Sequence, residues 1–377
     1  MAAGAKARTL ARRNSCAPFM TRSRMAVCEP FSYHGFQSGD VPMVTIKHIA
    51  ESLGLAHTTV SRALNDHRSI SAATKARVRE EAERLGYIPN SGARLMRNGA
   101  SRILGLIVPD VQNEFFSAVA RALANECAQL GYQVVLGVSE DDPQREEEHV
   151  RALLASRALG VMVAPCGRST AATRQMLARL PHVQLLRFDK DLGPLSVRVA
   201  DEQALNAATR HLLALGHRHI AYIGAAAELS TGGARLNGYL NAMQAAGVAQ
   251  DPAWIRLGST LPEFGRQAVL GLLTECPGIT ALIVASPRQL LGALKGLREA
   301  QVAVPGHLSL LGYGDTEWFE VSDPAITGMA LPVHDMSAHA TRLMFSALRE
   351  PHFTEAAAIF EPQLVTREST GPVRRKI

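Results

Sequence analysis

From Arg102 to Thr370 the chain alternates short apolar runs with amphipathic segments, and this alternation restricts the fold more than any other feature. "RILGLIVPD" precedes a segment bearing Phe116, Val119, Ala120, Leu123, Cys127 and Leu130 at helical spacing. "QVVLGVS", the helical "REEEHVRALLASR", "GVMVAP", a further helix and "VQLLRF" follow. A second set runs through "ALNAATRHLLALG", "HIAYIGA", "ARLNGYLNAMQAAG", "ALIVAS", "RQLLGALKGLREAQ" and "LSLLGYGD". A strand that is apolar on both faces must be covered on both faces, so strands of this kind alternating with helices predict parallel, doubly wound sheets. Two sets predict two α/β lobes, with a cleft where strand ends and loops converge on a small ligand.

The chain in front of this core has a different period. Thr45 can cap a helix in which Ile46, Ile49, Ala50 and Leu53 recur at helical spacing, and Gly54 then lets the chain turn. The next helix, "HTTVSRALND", has His57, Thr58, Ser61, Arg62 and Asn65 on one face and Val60, Ala63 and Leu64 on another. Ser71 caps a third helix, with Val78, Ala82 and Leu85 inward and Gly86 closing it. Three short helices with a tight glycine turn between the first two describe a helix-turn-helix, whose second helix can lie in a major groove. Arg62 can pair bidentately with guanine, Thr58 or His57 can reach base edges or thymine methyls, and Thr45 and Ser61 suit phosphates. The competing reading is a three-helix surface module with a solvated polar face.

After "LGYIPN", Asn90 can cap one further short helix ending near Arg97, with Gly92 inside it. So short a helix is marginal alone and would order on a partner. Met96 could wedge between base pairs in the minor groove, while Arg94 and Arg97 favour phosphate; a flexible linker is the alternative.

Residues 1–43 lack such patterning. Lys6, Arg8, Arg12, Arg13, Arg22 and Arg24 precede the first acid, Glu29, and no apolar stretch follows them, which argues against a secretory signal. A disordered basic extension is expected there; a transit peptide or a nucleic-acid-binding arm are the alternatives. The net charge of +6 admits an anionic partner. The apolar share of 47% supports a packed core, and no run is long enough to span a membrane. Cys16, Cys28, Cys127, Cys166 and Cys276 form no C-x-x-C pair, which suits reduced thiols in a cytoplasm and argues against a zinc knuckle.

Enzyme signatures are missing: no phosphate-binding G-x-x-x-x-G-K-[ST] loop, no G-x-G-x-x-G at a strand-to-helix turn and no G-x-S-x-G elbow. His211, His217 and His219 lie close in sequence, but without a carboxylate or thiol at ligand spacing they are expected to be structural. Neither a cofactor, a metal nor catalysis is expected.

"VTIKHIAESLGLAHTTVSRALND", "LGYIPNSGARLM" and "ILGLIVPDVQNEFF" resemble the lactose-repressor/galactose-repressor (LacI/GalR) family of bacterial transcription regulators, and the similarity runs from Val44 to Thr370. The resemblance implies a helix-turn-helix DNA-binding domain over 44–89, a hinge helix and linker over 90–100, a two-lobed periplasmic-binding-protein-like core over 101–370, and a tail over 371–377. It places His57, Thr58 and Arg62 where the family reads bases and Met96 where the family has its minor-groove leucine. Chain crossovers between lobes are implied near Asp201, Gly328 and Phe360. Asn113, Phe115 and Phe116 fall where the family stacks aromatic rings on a sugar, and Arg235 falls on an arginine that contacts effector.

Departures from the family pattern also matter. Ser286 and Pro287 replace Asn-Asp, and Gly314 replaces the first aspartate of the family's G-[FY]-D-D, while Asp315 remains. Arg187 stands near a position that often holds aspartate. Fewer carboxylates beside Arg187 and Arg235 suggest a positive cleft and an anionic effector, such as a sugar acid or other carboxylate. The implied protein is a cytoplasmic regulator, a repressor in most of the family. It binds double-stranded operator DNA as a homodimer under control of a small effector, "GPVRRKI" being too short for the heptads of a tetramer. The rival readings are a sugar-binding transport receptor and a metal-dependent enzyme.

Overall fold

The computed structural model describes residues 44–87, 101–350 and 357–373. They fall into two compact units, the division lying between Ser91 and Gly92. Asn90, Arg94 and Met96, with the hinge helix and the extension over 1–43, lie outside the described residues.

The first unit is three helices: α1 (Ile46–Leu53), α2 (His57–Leu64) and α3 (Ala72–Arg84). Thr45 stands at the α1 N-cap and its N–H donates to Nδ1 of His48 at 3.2 Å, reciprocating the first turn. Gly54 ends α1 at φ +63°, a left-handed conformation that glycine adopts without a Cβ penalty. Ser71 caps α3 by accepting from the N–H of Thr74. Ile49, Ala50, Val60, Ala63, Val78 and Ala82 form one buried cluster, with Leu53, Leu64 and Leu85 packed on it.

The second unit holds two sheets. In the first lobe β1 (Ile103–Val108), β2 (Gln133–Val138), β3 (Gly160–Val163), β4 (His182–Leu185), β5 (Ser196–Val199) and β11 (Ala358–Phe360) stand in the order β11-β5-β4-β3-β1-β2. They are connected through α4 (Glu114–Leu130), α5 (Pro143–Ala155) and α6 (Ala171–Leu177). In the second lobe β6 (Ile220–Ala225), β7 (Ile255–Gly258), β8 (Ala281–Val284), β9 (Ser309–Tyr313), β10 (Thr327–Ala330) and β12 (Gln363–Val365) stand in the order β12-β10-β9-β8-β6-β7. Their helices are α7 (Asp201–Ala214), α8 (Ser230–Ala245), α9 (Pro262–Glu275), α10 (Pro287–Glu299) and the short α11 (Glu317–Val321). All pairings are parallel except β10 with β12. Each order reverses beside its first strand, and the loops that open there form the ligand crevice of doubly wound sheets.

The chain passes between lobes three times. After β5 it enters α7, whose Leu205, Ala208 and Leu212 pack in the second lobe. After β10 it enters α12 (Val333–Arg349), whose Met336, Ala340 and Met344 pack in the first. The third passage joins β11 to β12. The second passage lies at Leu331–Pro332, just past Gly328, which is held inside β10 by Val365 and Gly312. Another expectation changes at β2: "QVVLGVS" looks buried in sequence, yet β2 is the sheet edge, with Val135 44% and Leu136 47% exposed.

Candidate functional site

On α2 the two faces separate as the spacing predicts. Val60 and Ala63 have no exposed surface, whereas His57, Thr58 and Arg62 are exposed and Ser61 partly so. Asn65 is the α2 C-cap, and its Nδ2 donates to the Ser61 carbonyl at 2.6 Å, so this amide is engaged within the helix end. The turn into α3 is held by Asp66, which reaches Lys75 at 3.0 Å and Arg79 at 3.2 Å; Lys75 above all keeps its carboxyl below the ordinary range. Arg84 and Ser52 hold Glu81 down to about 2, so this acid stays ionised where α1 meets α3. Thr45 is exposed at the start of α1. The result is a short polar helix face carried on a closed apolar core, the shape that enters a major groove.

In the second unit, three adjoining chambers run between the lobes. One, of 350 Å³, is lined by Asn113, Phe115, Arg235, Tyr313 and Asp315. A narrow chamber of 50 Å³ shares Asn113 and Arg235 with it and adds Phe116, Arg187 and Ser286. An open outer chamber of 1040 Å³ shares Asp110, Thr260 and Arg288 with the narrow one. All seven residues expected to bind effector thus line the two inner chambers, contributed by both lobes.

Each is positioned for a physical reason. Asn113 caps α4, its Oδ1 accepting from the N–H of Phe115 at 3.1 Å. Phe115 and Phe116 meet edge to face at 5.5 Å and are each only 4% exposed, so most of their surface belongs to the first lobe's core. Arg235 lies in α8, where its Nε–H donates to Asp201 at 2.6 Å and its Nη1 to the Ala285 carbonyl at 2.9 Å. Its guanidinium sits 3.7 Å from the centre of the Tyr313 ring, and Tyr313 donates its hydroxyl to the same Asp201 oxygen. Burial opposes the Arg235 charge, but Asp201 and Tyr313 outweigh it and leave its pKa raised. Burial also pushes the Tyr313 hydroxyl well above its usual range.

Asp315 is held by Arg367 through two hydrogen bonds, of 2.6 and 3.1 Å. Ser286 is the α10 N-cap, followed by Pro287 in the first turn. Gly314 has φ +102°, and a Cβ there would stand 3.2 Å from Cγ of Pro287. The two departures from the family pattern, at Pro287 and at Gly314, therefore pack against one another.

Arg187 requires a correction. Sequence reasoning counted it as an uncompensated cation, but both terminal nitrogens donate to the Asp141 carboxylate and one also reaches the Pro165 carbonyl. With Arg235 on Asp201, the positive cleft behind the anionic-effector reading is cancelled pair by pair. Sequence reasoning missed Asp141, Asp201, Tyr313, Arg288 and Arg367. Asp201 stood out only as a crossover residue, and nothing local ties it to an arginine 34 positions later.

Each of the three histidines has its own hydrogen-bond partner. Nε2 of His211 meets Thr370, His217 lies between Thr280 and the Gly371 carbonyl, and His219 meets the Gly278 carbonyl beside Trp254. Among the described residues no group of three or more histidine, cysteine, aspartate or glutamate side chains is arranged to hold a metal ion, and no helix is long and apolar enough to cross a membrane.

Residues 45–90 match the lacI family of bacterial regulatory proteins, and residues 209–370 match the periplasmic binding protein-like domain. The transcriptional regulator GalS of Salmonella typhimurium is 28% identical over 87% of this chain and 97% of its own. A CelR–cellobiose complex, also a transcriptional regulator, superposes with a TM-score of 0.65 at 26% identity, covering 87% of this chain and all of that one. The lac repressor dimer bound to operator shares the fold, with a TM-score of 0.74 at 24% identity over 87% of this chain and 99% of that one. Three helices with an open polar face, joined to two parallel-sheet lobes around a cleft, are thus explained together: the chain belongs to the LacI family of DNA-binding transcriptional regulators.

Proposed function

We propose that this regulator is a cytoplasmic homodimeric repressor whose affinity for a near-palindromic operator is set by a small polar molecule held in the two inner chambers. The observation that carries the reading is the convergence of Asn113, Phe115, Phe116, Arg187, Arg235, Ser286 and Asp315 from both lobes on adjoining chambers. A chamber of 350 Å³ is of the size that takes small ligands, with apolar walls and a few directed polar groups. A ligand touching both lobes changes their relation, and such coupling between sites is typically worth about 1–3 kcal/mol.

On the DNA side, His57, Thr58 and Arg62 are the base-reading residues, Thr45 and Ser61 bind phosphate, and Asn65 supports the end of α2. Asn90, Arg94 and Met96 are assigned to the hinge by sequence alone. The homodimer is supported by the partly exposed Val135 and Leu136 on the free edge of the first sheet and by Val321, 81% exposed, on α11. Cellobiose, bound by CelR, makes neutral sugars sensible first probes.

The test is selection of bound DNA from a random pool by the full-length protein, with and without a panel of sugars and sugar acids. Two half-sites about one helical turn apart, with enrichment altered by at least one small molecule, are expected. A pool that stays random under every condition overturns the reading.

A further inference from the structure

Three arginines, Arg187, Arg235 and Arg288, line the two inner chambers, and each already holds an aspartate. Two of the pairs are buried on the arginine side: Arg187 is 6% and Arg235 8% exposed. Asp201 is 5% exposed and accepts from both Arg235 and Tyr313. Asp141 receives Arg187 through both of its oxygens. A guanidinium has five N–H donors; the aspartate takes two at most and a backbone carbonyl, Ala285 for Arg235 and Pro165 for Arg187, one more, which leaves at least two. What remains is a set of rigid donors whose charge is already cancelled.

This arrangement decides which ligands are accepted. An incoming carboxylate or phosphate would have to displace a tethered aspartate or sit beside it, and two carboxylates sharing one site repel strongly. An uncharged oxygen acceptor takes a free N–H with neither cost.

We propose that Asp201 and Asp141 are specificity-determining positioning residues. They orient Arg235 and Arg187 and cancel their charges, so the cleft takes uncharged hydrogen-bond acceptors and rejects anions. The proposal rests on the reading of the cleft as the effector site and names the ligand class that the site selects. Removal of either carboxylate while the arginine stays should convert a donor to neutral ligands into an anion site.

The experiment uses the full-length protein without DNA and follows thermal unfolding against acetate and against its neutral isostere acetamide. Ionic strength is held constant with chloride. Asp201→Asn keeps the size and the acceptor toward Arg235 while removing the charge, and Asp141→Asn does the same for Arg187 at a position whose side chain is 31% exposed and so more tolerant. The expected result is saturable stabilisation by acetate in each variant, at least about tenfold tighter than in the wild type, with the acetamide response unchanged. Wild-type protein that binds acetate as tightly as the variants overturns the proposal, as do folded variants that gain nothing. If Asp201→Asn does not fold, Asp141→Asn decides the matter alone. Failure of the effector reading is seen elsewhere, as operator affinity that no small molecule changes, so the two failures are distinguishable.

Discussion

Arg62 and Val60 stand two positions apart on α2, one exposed and the other with no exposed surface, and this contrast is what sequence can read. Helical period alone separates them, because a side chain's face depends only on its position along the helix. Arg62→Ala is expected to weaken operator binding by about 1–3 kcal/mol and to relax preference at one base position, measured by selection from a random pool; an equal loss on all sequences would assign Arg62 to phosphate. Asn113 was also legible as a site residue, but its second task was not. Because its Oδ1 caps α4, Asn113→Ala should cost about 1 kcal/mol of stability as well as ligand affinity. Asn113→Ser, which can still cap, should recover the stability and not the affinity, as read by denaturant unfolding beside ligand titration. The arginine partners stayed hidden because an ion pair between α7 and α8 leaves no local pattern.

Among elements, the buried central strands were legible and the others less so. β1, β3, β6 and β8 carry continuous apolar runs because helices cover both their faces. β5 and β7 read SVRV and IRLG, each interrupted by an arginine, and β11 and β12 are three residues long. Such strands take their identity from a neighbour already in place. The segment after β12 is similar, since its carbonyl and hydroxyl groups are tied to α7 and to the loop before β6 through His211 and His217. Burial lowers the pKa of both histidines below the usual 6.5, and for His211 the neighbouring His217 adds to the effect. Above pH 6.5 both rings are neutral folded or unfolded, so nothing is lost. As pH falls below 6.5 the unfolded chain binds protons that the folded lobe refuses, and stability declines until the folded pKa values are reached. Thermal melts from pH 7.5 to 5.5 should therefore fall more steeply for the wild type than for His211→Asn/His217→Gln, whose side chains keep hydrogen bonds without titrating. Parallel slopes would show that the pair does not govern the acid sensitivity.

For the molecule as a whole, sequence gave two lobes and a cleft but not what holds them together, because contacts between lobes join residues far apart in the chain. Arg288, in the first turn of α10, crosses the cleft to Asp110, with Nε 3.1 Å from Oδ2, and to the Gln112 side chain. Arg288 lines both the narrow and the outer chamber. The other bond across the cleft here, from the Phe188 N–H to Ser230, is neutral. A partly exposed, charge-assisted pair of this kind contributes about 1 kcal/mol. That is enough to change the ratio of open to closed lobes by roughly fivefold. Arg288→Ala should thus raise the radius of gyration measured by X-ray scattering and speed ligand entry, while leaving the bases chosen on DNA unchanged, since α2 lies in the other unit. Scattering curves that coincide for Arg288→Ala and wild type, with equal entry rates, would show that the lobes close for other reasons. The cleft would then owe its shape to the three crossing segments and not to this latch.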